Sequence, residues 1–198
     1  MRLINSLLNR LSPARRKKAP PPQLIMWYLH AEAPDLIEVA TCQVRTYQPG
    51  DEEGWLALLQ ANGELGVWDH ERLEGVLADT HIQLFVECEG QIAACTGVND
   101  RVRDMGACWE IGWVAVHPAF QGRGISKLIT GAAVARALKM APRPIYLLTD
   151  DFRLPALRCF LKLGFTPDNS HPSYPIRWQE IFAGLGEDYQ ECIPEFVA

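Results

Sequence analysis

The chain has 198 residues, 48% of them apolar and 22% charged, the proportions of a soluble globular protein with one full hydrophobic core. No apolar run approaches the roughly 18–20 residues of a membrane span. Beyond residue 22, 13 basic side chains face 24 acidic ones, a net of −11 that works against nucleic-acid binding and favours cationic partners.

Residues 1–22 stand apart, with the six other basic groups and no acid. Leu3, Ile4, Leu7, Leu8 and Leu11 recur at helical spacing before the run Arg15-Arg16-Lys17-Lys18, and prolines 20–22 end the segment. This basic leader reads as disordered, as an amphipathic helix in peripheral contact with an anionic membrane through residues 1–18, or as a targeting peptide. Residues 23–42 form an N-terminal extension whose Leu24–Leu29 run is of strand length.

A mixed α/β pattern begins at residue 43. Val44–Tyr47 reads as a strand, Pro49-Gly50-Asp51 as a turn, and Glu52–Gln60 as a helix with Trp55, Leu58 and Leu59 inward. Asp69 is a candidate N-cap for a second helix reaching Leu77. Strands His81–Glu87 and Gln91–Val98 flank Glu89-Gly90, a hairpin signal. A third antiparallel strand, Cys108–Val116, stops at His117-Pro118, because proline supplies no ladder N–H. Helix Ile125–Lys139 and strand Ile145–Thr149 complete a parallel crossover. Pro155 suits the first turn of a further helix and Gly164 its C-terminal end. Phe165 starts a closing strand, and Trp178, Ile181 and Phe182 place a helix in the tail, residues 169–198.

The six cysteines form no CxxC and cluster with no histidine, so no metal is expected. Cys88, Cys95, Cys108 and Cys159 lie within apolar patterns and read as buried, reduced thiols of a cytoplasmic protein.

The segment Val114–Leu128, VAVHPAFQGRGISKL, carries the most chemistry. A strand stops at a proline, a loop with two glycines follows, and a helix opens at once. Several backbone N–H groups then converge at a helix N-terminus, which suits a phosphate. No Walker loop is present, and Lys127 stands where a dinucleotide fingerprint needs its third glycine. Gln121, Gly124 and Ser126 fit instead the pattern [Gln/Arg]-x-x-Gly-x-[Gly/Ala], with one substitution.

With this loop in place, the sequence resembles the GNAT superfamily of N-acetyltransferases across residues 43–168. The segment ALRCFLKLGF, Ala156–Phe165, is similar to the family's A-x-x-x-Y-x-x-x-GF signature. The resemblance implies a mixed α/β (α+β) fold: a mostly antiparallel central sheet, helices on both faces and a splayed parallel strand pair. It implies acetyl-CoA as acyl donor, with pantetheine along Val114, Ala115 and Val116. The pyrophosphate would sit on the amides of Gln121, Gly122, Arg123, Gly124, Ile125 and Ser126. Arg153 and Phe160 belong to the cofactor side as well.

The acceptor implied is a primary amine of a small molecule or peptide, attacking directly, by a monomer or homodimer. Glu110 is the catalytic base by the same resemblance, and period 2 sets it on the face of Val114. The chain departs from the pattern at Ser126, at Arg153, where an asparagine is usual, and at Phe160, which cannot supply the proton of the usual tyrosine. Cys159, Tyr146, Tyr174 or water are the substitutes. A non-catalytic acyl-CoA-binding module and transfer of a longer acyl group are the alternative functions. For the acceptor, residues 51–80 offer Trp55, Trp68, Asp69, His70 and Glu71.

Overall fold

A computed structural model describes residues 21–186 and Tyr189. The reading of a basic leader over residues 1–22 falls outside the described residues as far as residue 20, the membrane contact through residues 1–18 does so entirely, and in the tail residues 187, 188 and 190–198 do as well. Among the described residues, no helix is long and apolar enough to cross a membrane.

Seven strands form one sheet: β1 Leu24–Tyr28, β2 Cys42–Thr46, β3 Ile82–Cys88, β4 Gln91–Arg103, β5 Gly106–Val116, β6 Ile145–Thr149 and β7 Thr166–Pro167. Their order is β2-β3-β4-β5-β6-β1-β7, and every pair is antiparallel except β5–β6. Helices α1 Glu52–Asn62 and α2 His70–Asp79 precede β3; α3 Ile125–Met140 connects β5 to β6; α4 Leu154–Lys162 and α5 Tyr174–Leu185 complete the chain order.

Alternation along the strands decides which helices lie where. Phe85, Cys95 and Ala115 turn to one face and pack with Trp55, Leu59 and Leu73 of α1 and α2. Val86, Val98 and Ile111 turn to the other and pack with Ile129, Leu157 and Trp178 of α3, α4 and α5. Helices therefore cover both faces of a mostly antiparallel sheet, the architecture expected. Asp69 caps α2 by accepting from the Arg72 amide at 2.9 Å.

Three features differ from the sequence reading. First, β4 continues past Val98 to Arg103, and the turn falls at Asp104-Met105 before Gly106 (φ 89°). The expected strand ends at Val98, yet pairing of Asn99 with Glu110 and of Asp100 with Trp109 across β5 holds the chain extended beyond it. Second, segment 23–42, set apart as an extension, contributes β1, which lies between β6 and β7; the residues after it cross α3, where a Cβ on Gly131 would lie 3.2 Å from Leu36.

Third, Cys88 is not a reduced thiol. It is disulfide-bonded to Cys42, its direct partner across β2–β3, with Cα atoms 4.2 Å apart. Cys42 falls just ahead of the expected strand start at Val44, so the cross-strand register was out of reach of the periodicity. Cys95, Cys108 and Cys159 are free thiols, the first two buried and the third half-buried.

Candidate active site

The parallel β5–β6 ladder is short. It comprises Trp109–Ile145, Glu110–Tyr146 and Ile111–Leu147, and ends there. Beyond Ile111 the β6-facing edge of residues 112–116 has no strand partner, and the two strands diverge.

A bulge in β5 accompanies the divergence. Opposite β4 the register passes from Gly97–Gly112 to Cys95–Ala115, so two residues of β5 face one of β4. Trp113 takes a left-handed conformation there, φ 56°, which costs a non-glycine residue about 1–3 kcal/mol. Its surroundings hold it in place: the Thr96 hydroxyl donates to the Gly112 carbonyl at 2.9 Å, the Cys95 thiol to the Trp113 carbonyl at 3.5 Å, and the Trp113 ring meets Trp68 edge-on at 5.0 Å.

The bulge also breaks strand parity. Ile111 packs on the α3 face, which turns Glu110 to the α1–α2 face, whereas Val114 packs against the α3-side core. Glu110 and Val114 thus do not share a face as period 2 implied. They border one cavity all the same, because it opens through the gap between the strands.

That cavity, about 520 Å³, is walled by α2 on one side and by the ends of β5 and β6 on the other. Glu110 contributes a carboxylate with 17% of its side chain exposed, and its Oε2 accepts from Arg101 Nε at 2.8 Å. Arg101 also pairs with Asp79, so the three form a chain along the wall. Asn99, directly opposite Glu110 in the ladder, and Thr149 are buried.

A second cavity, about 610 Å³, lies between the loop 121–126 and α4. Gly122 and Gly124 have φ of 77° and 83°, values that glycine adopts without penalty. No side chain caps α3, and its first intrahelical bond runs from Leu128 N to Gly124 O at 3.0 Å. The amides of residues 125–127 are consequently the orphan donors of a helix N-terminus. A Cβ added to Gly122 would meet nothing within 4 Å, so the loop's approach is open on that side. Lys127, Arg153, Arg158 and Lys162 border this cavity against one acid, Glu64. In a chain of net charge −5, it is a local cationic basin suited to phosphates.

The two cavities share Val114, Arg153 and Ala156. Arg153 is held at the junction by Asp150 (Nε to Oδ2, 2.9 Å) and by the Glu64 carbonyl (2.9 Å).

Most of the remaining expected residues divide between the two cavities. Val116, Gln121, Gly122, Gly124, Ile125 and Ser126 border the second. Phe160 borders the first and is 4% exposed, packed against Phe165. Ala115 is buried in the α1–α2 core. Arg123 lies outside both, near Glu89 (3.7 Å) and Phe120. The Val116 carbonyl already accepts from Asn62 at 3.1 Å. The Ser126 hydroxyl donates to Cys159 Sγ at 3.4 Å, and burial pushes the Cys159 thiol up.

Tyr146 packs against Arg103 and Trp27, and Tyr174 donates to the Gln23 carbonyl at 2.5 Å; neither borders either of these two cavities. Of the acceptor-side candidates, Trp55 and Trp68 are core residues, Asp69 is a helix cap, and His70 and Glu71 are exposed. The residues of that stretch that do border the first cavity include Arg72, Asp79 and Thr80. Sequence reasoning missed these together with Asn99 and Arg101. The signal available was the alternation Asn99, Arg101 in a strand carried beyond Val98. The i, i+4 pair Arg158–Lys162 was the corresponding sign of the cationic basin.

The model of the acetyltransferase (GNAT) family matches residues 37–165. The mycothiol acetyltransferase of Actinosynnema mirum is 24% identical over 169 residues, covering 76% of this chain and 54% of its own. A GCN5-related N-acetyltransferase structure from Sphaerobacter thermophilus superposes with a TM-score of 0.62 at 18% identity, covering 75% of this chain and 50% of the other. A GNAT-family acetyltransferase of Brucella melitensis, in complex with acetyl-CoA, does so with a TM-score of 0.52 at 19% identity, covering 66% and 89%. The chain spans about half the length of the curated relatives it matches.

Proposed function

We propose, from the premise that this chain belongs to the acetyltransferase (GNAT) family, that it moves an acetyl group from acetyl-CoA directly onto the primary amine of a small molecule or peptide. The observation that carries the reading is the junction at Val114 and Arg153. A cationic groove with a helix N-terminus meets there a separate, carboxylate-bearing cavity, through the gap where β5 leaves β6.

The groove fits the donor by its chemistry. The orphan amides at the start of α3 and the left-handed glycines seat a pyrophosphate, and Lys127, Arg158 and Lys162 add charge around it. The free edge of residues 112–116 offers backbone partners to the pantetheine amides. One backbone N–H among Val114–Val116 serves the oxyanion, an interaction worth about 10²–10³ in rate.

An amine attacks a thioester only as the free base, so a proton must leave it first. Glu110 accepts that proton, directly or through one water; Arg101 occupies Oε2 and leaves Oε1 for the task. The free amine then adds to the carbonyl, forming the C–N bond and the oxyanion. As the oxyanion collapses the C–S bond breaks, the thiolate departs with the electron pair, and the second proton on nitrogen leaves through water. Phe160 has no proton to give. Tyr146 and Tyr174 border neither cavity, and Cys159 touches Ser126 at the phosphate end. Water therefore protonates the thiolate. No GxSxG elbow is present to form an acyl-enzyme, in keeping with direct transfer.

The phenyl ring of Phe160 is the one observation favouring a second reading, a module that binds acyl-CoA without turning it over. Free-thiol release from acetyl-CoA with a panel of polyamines, amino-acid derivatives and peptides separates the two. Transfer gives amine-dependent thiol release; saturable acetyl-CoA binding with no release for any amine leaves the binding module.

A further inference from the structure

The charges around the Glu110 cavity do not cancel. Three guanidinium groups, Arg72, Arg101 and Arg153, border it against two carboxylates, Asp79 and Glu110. Arg101 is satisfied by both carboxylates, and Arg153 by Asp150 outside the cavity. Arg72 enters no ion pair among the described residues. Its Nη1 and Nη2 donate to the backbone carbonyls of Val67 and Leu65, which orient the group and leave its charge uncompensated. The guanidinium lies 4.1 Å from the Trp68 ring and 5.3 Å from that of Trp113. It is thus a braced, half-buried cation, planar and with donors to spare. Trp113 precedes Val114, so the cation stands beside the point where the two cavities meet.

A second observation comes from the same cavity. Asn99 and Thr149 border it and are each 3% exposed, and neither Asn99 Oδ1 nor Thr149 Oγ1 has a hydrogen-bond partner among the described residues. Buried oxygens without donors are uncommon in folded proteins, and these two would accept from an amine. One cavity thus presents an unneutralised cation and a pair of unsatisfied acceptors. Those features are complementary to a single molecule with a carboxylate and an amine a few bonds apart.

We infer that the acceptor is an amino-acid-like amine whose carboxylate is held by Arg72. The inference rests on the acetyl-transfer reading. It also reverses the expectation drawn from the acidic body, that the acceptor is simply cationic. Distant charges are screened over roughly 8 Å at physiological ionic strength, whereas a guanidinium in contact is not.

The test compares matched probes differing only in the carboxylate: the free α-amino acids, β-alanine and 4-aminobutyrate against their amides. Thiol release is followed with wild type, Arg72→Gln and Arg72→Lys. Gln retains a donor for the backbone carbonyls without charge, and Lys retains the charge without the fork. Acetyl-CoA affinity within twofold of wild type establishes that each variant is folded. At least one free acid is expected to exceed its amide by tenfold or more in kcat/KM, mainly through KM. Arg72→Gln abolishes that preference, bringing the acid down to its amide, and Arg72→Lys keeps part of it. Amides turned over as well as the acids, or a preference that survives Arg72→Gln, overturns the inference. If no amine is acetylated, the transfer reading fails, and calorimetry of the same pairs with the CoA complex then decides the inference alone. An Arg72-dependent preference for the acid upholds it, and no preference overturns it.

Discussion

Replacing Gly122 or Gly124 by alanine separates what the loop 121–126 does for folding from the binding proposed for it. Both glycines are left-handed, with φ of 77° and 83°, a conformation that costs an L-residue about 1–2 kcal/mol. A Cβ on Gly122 meets nothing within 4 Å, so Gly122→Ala should lose about that much stability and no more. The new methyl, however, occupies the open space through which, on the proposed reading, a phosphate reaches the amides. Losing even one charge-assisted hydrogen bond, about 1.5–3 kcal/mol, weakens acetyl-CoA by about 10-fold to 100-fold. Gly124→Ala adds a contact of 3.0 Å with Ile37 Cδ1, bringing the folding loss to about 2–5 kcal/mol with overpacking included. Ile37→Ala in that background should return the steric part and leave the backbone part. Urea unfolding measures the first quantity, and titration calorimetry with acetyl-CoA the second. A Gly122→Ala protein that binds acetyl-CoA as tightly as wild type would take the pyrophosphate off this loop. Equal stability losses for the two variants would refute the steric argument at Ile37.

Glu110→Gln should lower kcat by about 10²–10⁴ while acetyl-CoA affinity holds, since Gln can still contact Arg101; an unchanged rate and pH profile would remove Glu110 from the base role. Reducing the Cys42–Cys88 bond, which closes a separation of 46 residues, should cost about 4 kcal/mol by chain entropy, read as a lower urea midpoint, and an unchanged midpoint under reductant would count against the cross-link. Iodoacetamide on the native protein should leave Cys95 unlabelled, because burial pushes its thiol from 9.0 up to about 12. The protonated form is the one the fold favours, so this contribution to stability is full below pH 9.0 and fades as pH rises towards 12; ready labelling of folded protein at pH 8 would contradict its burial.

The parts legible in the sequence were those written in local spacing. Glu89-Gly90 marked its hairpin, Asp69 its cap, and Trp178, Ile181 and Phe182 the face of α5 that is buried. The loop 121–126 was legible because glycine and proline constrain the backbone wherever they fall. The proposed acceptor side was not, because it is assembled by pairing between strands. Asn99 falls past the expected strand end until β5 is laid beside it, and Arg101 acquires its role only across from that strand and α2. The bulge at Trp113 is the sharpest case. Its left-handed backbone is sustained by Trp68, Thr96 and Cys95 from other elements, and nothing in Glu110–Val114 alone announces a break in parity. Cys42 and Cys88 likewise meet only through a register that no local pattern encodes.

The position of β1 bears on how the chain comes to fold. Leu24 is paired with Thr149 and Met26 with Pro167, so this strand is made well before either of its neighbours. Contacts of such separation carry a large loop-closure cost and slow folding. During translation, Ile25 and Trp27 leave the ribosome well ahead of β6 and β7 and must wait unpaired. The order of assembly is thereby constrained: the β2–β5 antiparallel block can form first from sequential neighbours, and β1 is captured only once α3 has carried the chain over to β6. The opening between β5 and β6 is then bordered by a strand pair that assembles late, and the two cavities that meet there form only after β6 and α4 have left the ribosome.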